Sequence, residues 1–148
     1  SRGDIFYFII IFGREGTMQV SKVAEKTYVG KNPAHVSIFK KEDPKYYCMI
    51  YRDGKDGPAM IKRFTVQGVT REKMYDLTKG NNGTRVLFFS VHDTEEDTPL
   101  VNVILKPAPR LRVKEIEINF ADIAVKGRAS KGNIITKHIE FMLVVSNP

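Results

Sequence analysis

The stretch FYFIIIFGREGTMQVSKV at positions 6–23 decides the fold class of this chain. Two runs rich in aliphatic and aromatic residues, at positions 6–12 and 17–23, flank the connection Gly13-Arg14-Glu15-Gly16. Short apolar runs of this composition favour β-strands, and a glycine-containing connection of this length suits a hairpin. The stretch therefore predicts an antiparallel hairpin.

The same arrangement of two apolar runs around a polar turn occurs twice more. Runs 46–51 and 59–66 flank a turn around Lys55, and runs 85–91 and 100–105 flank an acidic loop around Glu96. These turns and the one at Glu15 lie about 40 residues apart. A hairpin plus two short strands at this period is typical of a propeller blade, because so small a sheet buries its faces only by stacking. A non-repetitive all-β protein would give two similar intervals by chance.

A local similarity supports the repeat. Positions 16–23 align with positions 57–64, each starting at a glycine, continuing as an apolar strand and carrying a basic residue six positions on. We therefore predict one all-β domain over residues 1–148, with about three blades of a propeller-like disc. Propellers usually hold ~4 to 8 blades. We expect an open arc, or a disc completed by further sequence or a second copy. The start at Ser-Arg-Gly-Asp instead of Met suggests a fragment of a longer protein.

Composition favours a polyanionic partner. The chain has 24 Lys and Arg against 17 Asp and Glu, a formal net charge of +7, which favours nucleic acid ahead of an anionic membrane surface. The single cysteine, Cys48, excludes an intrachain disulfide and fits a reducing compartment. The apolar run 5–12 is far shorter than the ~20 residues of a membrane helix. We expect a cytoplasmic protein with no membrane partner.

Residues that carry catalysis do not form a recognisable set. His35, His92 and His138 are scattered, and none lies at metal-ligand spacing from Cys48. The acidic stretch 93–97 lacks the spacing and glycine of a calcium loop, and no nucleophile motif occurs. We expect no catalytic residue, no bound metal and no cofactor in this chain.

The loop at positions 126–132, Lys-Gly-Arg-Ala-Ser-Lys-Gly, is the first of three basic clusters. Its glycines and small residues let backbone N–H groups and two cations approach a phosphate. A solvated β-turn has the same composition. The loop is therefore a candidate anion site that composition alone does not decide.

Two further clusters carry the remaining basic candidates. Lys62 and Arg63 precede the pair Arg71 and Lys73, and strand alternation places Lys62 and Arg63 on opposite faces. In the third cluster, prolines favour an extended strand whose cations project to one side. That cluster consists of Arg110, Arg112 and Lys114. A soluble edge strand carries one-sided charge for another reason, to avoid aggregation.

Three segments, 61–64, 75–80 and 122–137, resemble a known family. They are similar to the C-terminal domain of the A subunit of bacterial type IIA topoisomerases, DNA gyrase and topoisomerase IV, and most similar to the A subunits of Bacteroidetes. The likeness extends from about Thr17 to Lys137. It implies a β-pinwheel, a propeller-like disc whose basic rim bends duplex DNA.

Gyrase carries in this domain a Gln-Arg-Arg-Gly-Gly-Lys-Gly box that is needed for wrapping. Laid on positions 126–132, the box matches at Arg128, Lys131 and Gly132, and Lys126 replaces the glutamine. A degenerate box resembles topoisomerase IV more than gyrase. The resemblance therefore implies decatenation or relaxation in preference to negative supercoiling, with the gyrase wrapping domain as the alternative.

The resemblance also implies where the chemistry lies. The catalytic tyrosine, the Mg²⁺ site and the ATPase belong to the remainder of the A subunit and to the ATPase B subunit of a heterotetramer. This domain would be a nucleoid-associated DNA guide without enzymatic activity. The expected DNA contacts are Arg128, Lys131, Lys137, Lys126, Lys62, Arg63, Arg71, Lys73, Arg110, Arg112 and Lys114. The alternative of another class is a β-propeller-like protein-interaction scaffold whose positive charge serves solubility.

Overall fold

A computed structural model describes residues 7–24, 28–105, 115–136 and 142–146. Over these residues the chain forms β-strands and one 3-10 helix, Phe120–Asp122, but no α-helix. The strands are β1 (Phe8–Gly13), β2 (Thr17–Lys22), β3 (Pro33–Phe39), β4 (Tyr46–Arg52), β5 (Ala59–Thr65), β6 (Tyr75–Asp76), β7 (Arg85–His92), β8 (Leu100–Leu105), β9 (Glu115–Asn119), β10 (Val125–Gly127), β11 (Asn133–Thr136) and β12 (Met142–Ser146). The prediction of an all-β fold is confirmed.

The strands form three sheets, each built around two consecutive antiparallel strands. Sheet 1 has the order β3-β1-β2-β6, and sheet 3 has the order β12-β8-β9. Sheet 2 has the order β10-β5-β4-β7, with β11 also paired to β5. Within the described ranges none of the sheets closes on itself. The architecture is consistent with an open, pinwheel-like domain of about three blades, as predicted.

Two of the three predicted hairpins are confirmed, and the third is wrong. Strands β1 and β2 pair with Ile10 opposite Val20, and β4 and β5 pair with Ile50 opposite Ile61. Strand β7, however, pairs with β4 of sheet 2, whereas β8 pairs with β9 and β12 of sheet 3. The acidic loop before Leu100 therefore crosses between sheets, because β7 at the edge of sheet 2 packs Phe89 against Phe12 and Phe88 against Phe120.

The aligned repeat positions nevertheless have equivalent roles. Met18 and Val20 of β2 belong to the apolar cluster between sheets 1 and 2. The positions aligned with them, Ala59 and Ile61 of β5, belong to the cluster between sheets 2 and 3. The aligned positions are therefore equivalent in β2 and β5, although the three strand pairs begin at unequal intervals, at Phe8, Tyr46 and Leu100.

Stacking of the sheets buries sheet 2 on both faces. On one face Tyr47 and Phe64 pack with Phe12 of sheet 1, and the ring centroids of Phe12 and Tyr47 are 4.9 Å apart. On the other face Ile50 packs in a cluster with Val103 of sheet 3. Apolar side chains on both faces of a short strand are the expected result of stacked blades. Sheet 2 is therefore the central layer of the described residues.

Edge strands are exchanged between neighbouring sheets. The chain leaves β5 in sheet 2 and returns to sheet 1 as β6, which pairs with β2. It later leaves β9 in sheet 3 and returns to sheet 2 as β10 and β11, which both pair with β5. The exchanged strands occupy the same edge of sheets 1 and 2. This exchange brings segments 70–80 and 125–136 to one side of the molecule.

Candidate nucleic-acid interface

The two exchanged segments carry a group of basic side chains at the edge of sheets 1 and 2. The first segment contains β6, and the second contains the loop between β10 and β11. All the group's members are exposed or half-exposed. We call this group the basic rim: Arg71, Lys73, Lys79, Lys126, Arg128 and Lys131.

Tyr75 joins the two segments at the surface. The guanidinium carbon of Arg128 lies 4.1 Å from the centroid of the Tyr75 ring, and Nζ of Lys73 lies 5.1 Å from the same centroid. The hydroxyl of Tyr75 accepts a hydrogen bond of 2.7 Å from the backbone N–H of Thr70, which fixes the ring. Cation–π contacts at exposed sites contribute about 0.5–1 kcal/mol each. Two cations from different sheets therefore lie side by side.

Lys62 lies beneath the basic rim and not on it. Lys62 is only 3% exposed. Its Nζ donates hydrogen bonds of 2.7 Å to the carbonyl oxygens of Leu77, Arg128 and Ser130. Burial, and secondarily the charge of Lys79, lowers the pKa of Lys62 to about 8, so the ammonium persists at neutral pH. All its protons are donated within the protein. Lys62 therefore has no free proton for a phosphate, and its burial disfavours the DNA contact predicted for it.

Arg63 is likewise buried, on the opposite face of β5. It is 5% exposed, and its guanidinium donates a hydrogen bond to the carbonyl oxygen of Glu95 in the crossing loop. The expected alternation is confirmed, since Lys62 lies over the ring of Phe64 and Arg63 points the other way. Both faces of β5 are covered, however, because sheets 1 and 3 stack on them. Burial therefore also disfavours the DNA contact predicted for Arg63.

Lys131 is exposed but paired with a carboxylate. Its Nζ lies 3.2 Å from Oδ2 of Asp53, whose side chain is 5% exposed. The other carboxylate oxygen of Asp53 accepts a hydrogen bond of 2.7 Å from Nδ2 of Asn81. The backbone N–H of Gly132 donates to the hydroxyl of Tyr51 at 3.2 Å. The loop is thus fastened to sheet 2, and a phosphate would compete with Asp53 for Lys131.

The remaining predicted contacts fall into two groups. Lys126 is exposed in β10, and Arg71 is exposed at the far end of the rim, its guanidinium carbon 4.9 Å from the ring centroid of Phe8. The others lie outside the described residues. They are Arg110, Arg112, Lys114 and Lys137.

Sequence reasoning missed Tyr75, Lys79 and Asp53. Tyr75 and Lys79 belong to the family-like segment 75–80, but neither is among the expected contacts. The signal that identifies them is a group of basic residues around one aromatic residue at positions 71–79, with Arg71, Lys73 and Lys79 on either side of Tyr75. Asp53 carries no such signal, because its partner Lys131 is brought to it only by the pairing of β11 with β5.

The described ranges contain no group of three or more His, Cys, Asp or Glu placed to hold a metal ion. Cys48 is fully buried, and burial raises the pKa of its thiol to about 11. His92 bridges Ser90 (2.7 Å) and Asp97 (3.2 Å), which ties the crossing loop to β7. No helix in these ranges has the length and apolar character to cross a membrane.

Comparison with known proteins gave one match. A family model described as "Topoisomerase C-terminal domain, Bacteroidota" matches residues 8–139. No curated protein and no solved structure gives a significant match. The matched range includes the basic rim, Tyr75 and the residues that fasten the loop.

Proposed function

The chain belongs to the family of bacterial topoisomerase C-terminal domains, and on this premise we propose that it binds duplex DNA without base specificity and bends it along the basic rim. A topoisomerase domain has DNA and other topoisomerase subunits as its partners. The observation that carries the proposal is the convergence of Arg128 and Lys73 on Tyr75 from two different sheets. A rigid edge that spans two blades suits a continuous phosphate backbone.

The electrostatic gain is of the size that bending requires. Each phosphate neutralised by Lys or Arg releases condensed counterions, with a salt slope of roughly −0.9 per contact. Bending a short duplex costs on the order of 1–6 kcal/mol. Several contacts along a rim that is ordered before DNA arrives offset this cost. Contacts to phosphates position the duplex but carry no sequence information.

In the parent enzyme we assign this domain to the A subunit of a topoisomerase IV. It would guide DNA segments for decatenation or relaxation in the cytoplasm, while the rest of the A subunit and the ATPase B subunit supply strand passage, ATP and Mg²⁺. The degenerate box at positions 126–132 favours this assignment over gyrase. The alternative hypothesis of a protein-interaction scaffold predicts no grouping of basic side chains on one edge. The clustering of cations around Tyr75 therefore disfavours it.

A salt titration with a plain duplex of roughly 40 base pairs tests DNA binding. Four to five rim contacts predict a slope of log K against log salt of about −4 between about 50 and 200 mM salt. Unrelated sequences of the same length should give the same affinity. Weak association that does not respond to salt would exclude the proposal.

Asp53→Asn is expected to strengthen DNA binding about two- to fivefold. The substitution removes the largely buried carboxylate that lies 3.2 Å from Nζ of the half-exposed Lys131, and a two- to fivefold gain corresponds to about 0.4–1 kcal/mol of restraint. Fluorescence anisotropy with the same duplex measures the change. Asp56→Asn, in the same turn and exposed, is the control for net charge. Equal gains in both variants would show that Asp53 does not restrain Lys131.

A further inference from the structure

One buried ammonium connects both segments of the basic rim. Nζ of Lys62 donates to the carbonyl oxygen of Leu77, the residue after β6, and to those of Arg128 and Ser130 in the second segment. The backbone N–H of Leu77 donates to the carbonyl oxygen of Gly16, which fixes the first segment to sheet 1. Lys62, which belongs to neither segment, therefore holds the backbone of both from inside the fold.

The three acceptors require a lysine at this position. An ammonium presents three protons from one atom at the end of a long apolar stem, whereas a serine, asparagine or glutamine offers fewer donors. The stem of Lys62 lies against Phe64, with Nζ 4.9 Å from the ring centroid. The turn that carries Arg128 is closed by a backbone hydrogen bond of 3.1 Å from Ser130 to Gly127. The hydrogen bonds of Lys62 thus stabilise a turn that is already closed by one backbone hydrogen bond.

We infer that Lys62 is a positioning residue for DNA binding, which holds the segments of Arg128 and Lys73 in register from inside the fold without touching DNA. This inference rests on the proposed function. It follows because Arg128 has its backbone carbonyl on Lys62 and its guanidinium on Tyr75. Loss of the hydrogen bond from Lys62 releases the backbone of Arg128, whose guanidinium lies at the surface.

Lys62→Met tests the inference, since Met keeps the apolar stem and removes all donors. We expect the variant to bind duplex DNA about tenfold more weakly at about 0.1 M salt, with faster amide hydrogen exchange in the loop 126–132. The decisive measurement is a double-mutant cycle. If Lys62 acts through the rim cations, Lys62→Met has no further effect on affinity when Lys73, Arg128 and Lys131 are already alanine. A further loss in that background would indicate direct contact and overturn the inference.

Arg63→Met is the matched control. Arg63 is the next residue of β5 and similarly buried, and it loses the same charge, but its partner Glu95 lies on the opposite face. We expect its DNA affinity and loop exchange to stay at the level of the unmodified protein. Equal weakening in Lys62→Met and Arg63→Met would overturn the inference.

Two further outcomes separate this inference from the proposed function. Binding by the unmodified protein with no change in Lys62→Met would refute the positioning role and leave the proposed function standing. Absence of DNA binding by the unmodified protein would refute the proposed function. Amide hydrogen exchange in the loop 126–132, compared between Lys62→Met and Arg63→Met, would still decide whether Lys62 holds the loop. Should Lys62→Met fail to fold, Lys62→Gln, which keeps two N–H donors, is expected to fold and to show an intermediate loss of affinity. Unchanged affinity in Lys62→Gln would overturn the inference.

Discussion

Replacing Arg128 and Lys131 together with alanine is expected to lower the affinity for a plain duplex about 50-fold at about 0.1 M salt. The reason is that each phosphate contact raises log K by roughly 0.9 when the salt concentration falls from 1 M to 0.1 M, and two contacts are lost. The salt slope should become shallower by about 1.8. Arg128 is held at the surface by Tyr75, and Lys131 by Asp53. Arg128 is therefore ordered before DNA arrives, whereas Lys131 exchanges Asp53 for a phosphate. Electrophoretic mobility shift or anisotropy across a salt series measures both quantities.

Lys40→Ala with Lys41→Ala is the control for this variant. Both lysines are exposed and follow β3, which forms the edge of sheet 1 opposite to β6. The change in net charge is the same, but the location is away from the basic rim. We expect less than a threefold loss of affinity, since distant exposed charges are largely screened at this salt concentration. Similar losses in both double variants would mean that net charge, and not the rim, determines binding.

Phe12→Ala is expected to lower the free energy of unfolding by about 3–5 kcal/mol, the cost of an unfilled aromatic cavity in a core. Phe12 is 1% exposed, and its ring centroid lies 4.4 Å from that of Phe89 and 4.9 Å from that of Tyr47. These partners belong to sheet 2. The variant therefore tests whether sheets 1 and 2 stack. Denaturant unfolding followed by far-UV circular dichroism measures the change.

Tyr28→Ala provides the comparison, because Tyr28 is 77% exposed. Its expected effect is within about 0.5 kcal/mol, the usual range for surface positions. A loss of less than 1 kcal/mol for Phe12→Ala would be inconsistent with stacking of sheet 1 on sheet 2. In that case the basic rim would not span two blades.

The hairpins show where local sequence is sufficient. A glycine-containing turn between two apolar runs specifies β1–β2 and β4–β5, because turn geometry and strand propensity act over neighbouring residues. Runs 85–91 and 100–105 carry the same local pattern, yet β7 pairs with β4 and β8 with β9. Pairing there depends on which face each strand can bury. A short-range pattern does not contain that information.

Charge in the sequence likewise predicted only part of the site. Arg128 and Lys131 lie in a loop of small residues, where exposure follows from composition, and the structure places both at the surface. Lys62 and Arg63 have the same charge but lie in β5, which is covered on both faces and along the edge where β10 and β11 pair. These two strands come from a segment more than fifty residues away. Only the folded chain brings the carbonyl groups of Arg128 and Ser130, in the loop between these strands, to Lys62.

By itself the sequence determined the all-β class, the first two hairpins and the basic loop at 126–132, because strand propensity, turn length and glycine content are properties of neighbouring residues. The tertiary structure decided the sheet to which each strand belongs, the side on which the exchanged edges lie and the burial of Lys62 beneath the cations it supports. The physical reason is that burial and hydrogen bonding depend on residues distant in the chain, and their free energy exists only once the sheets have stacked.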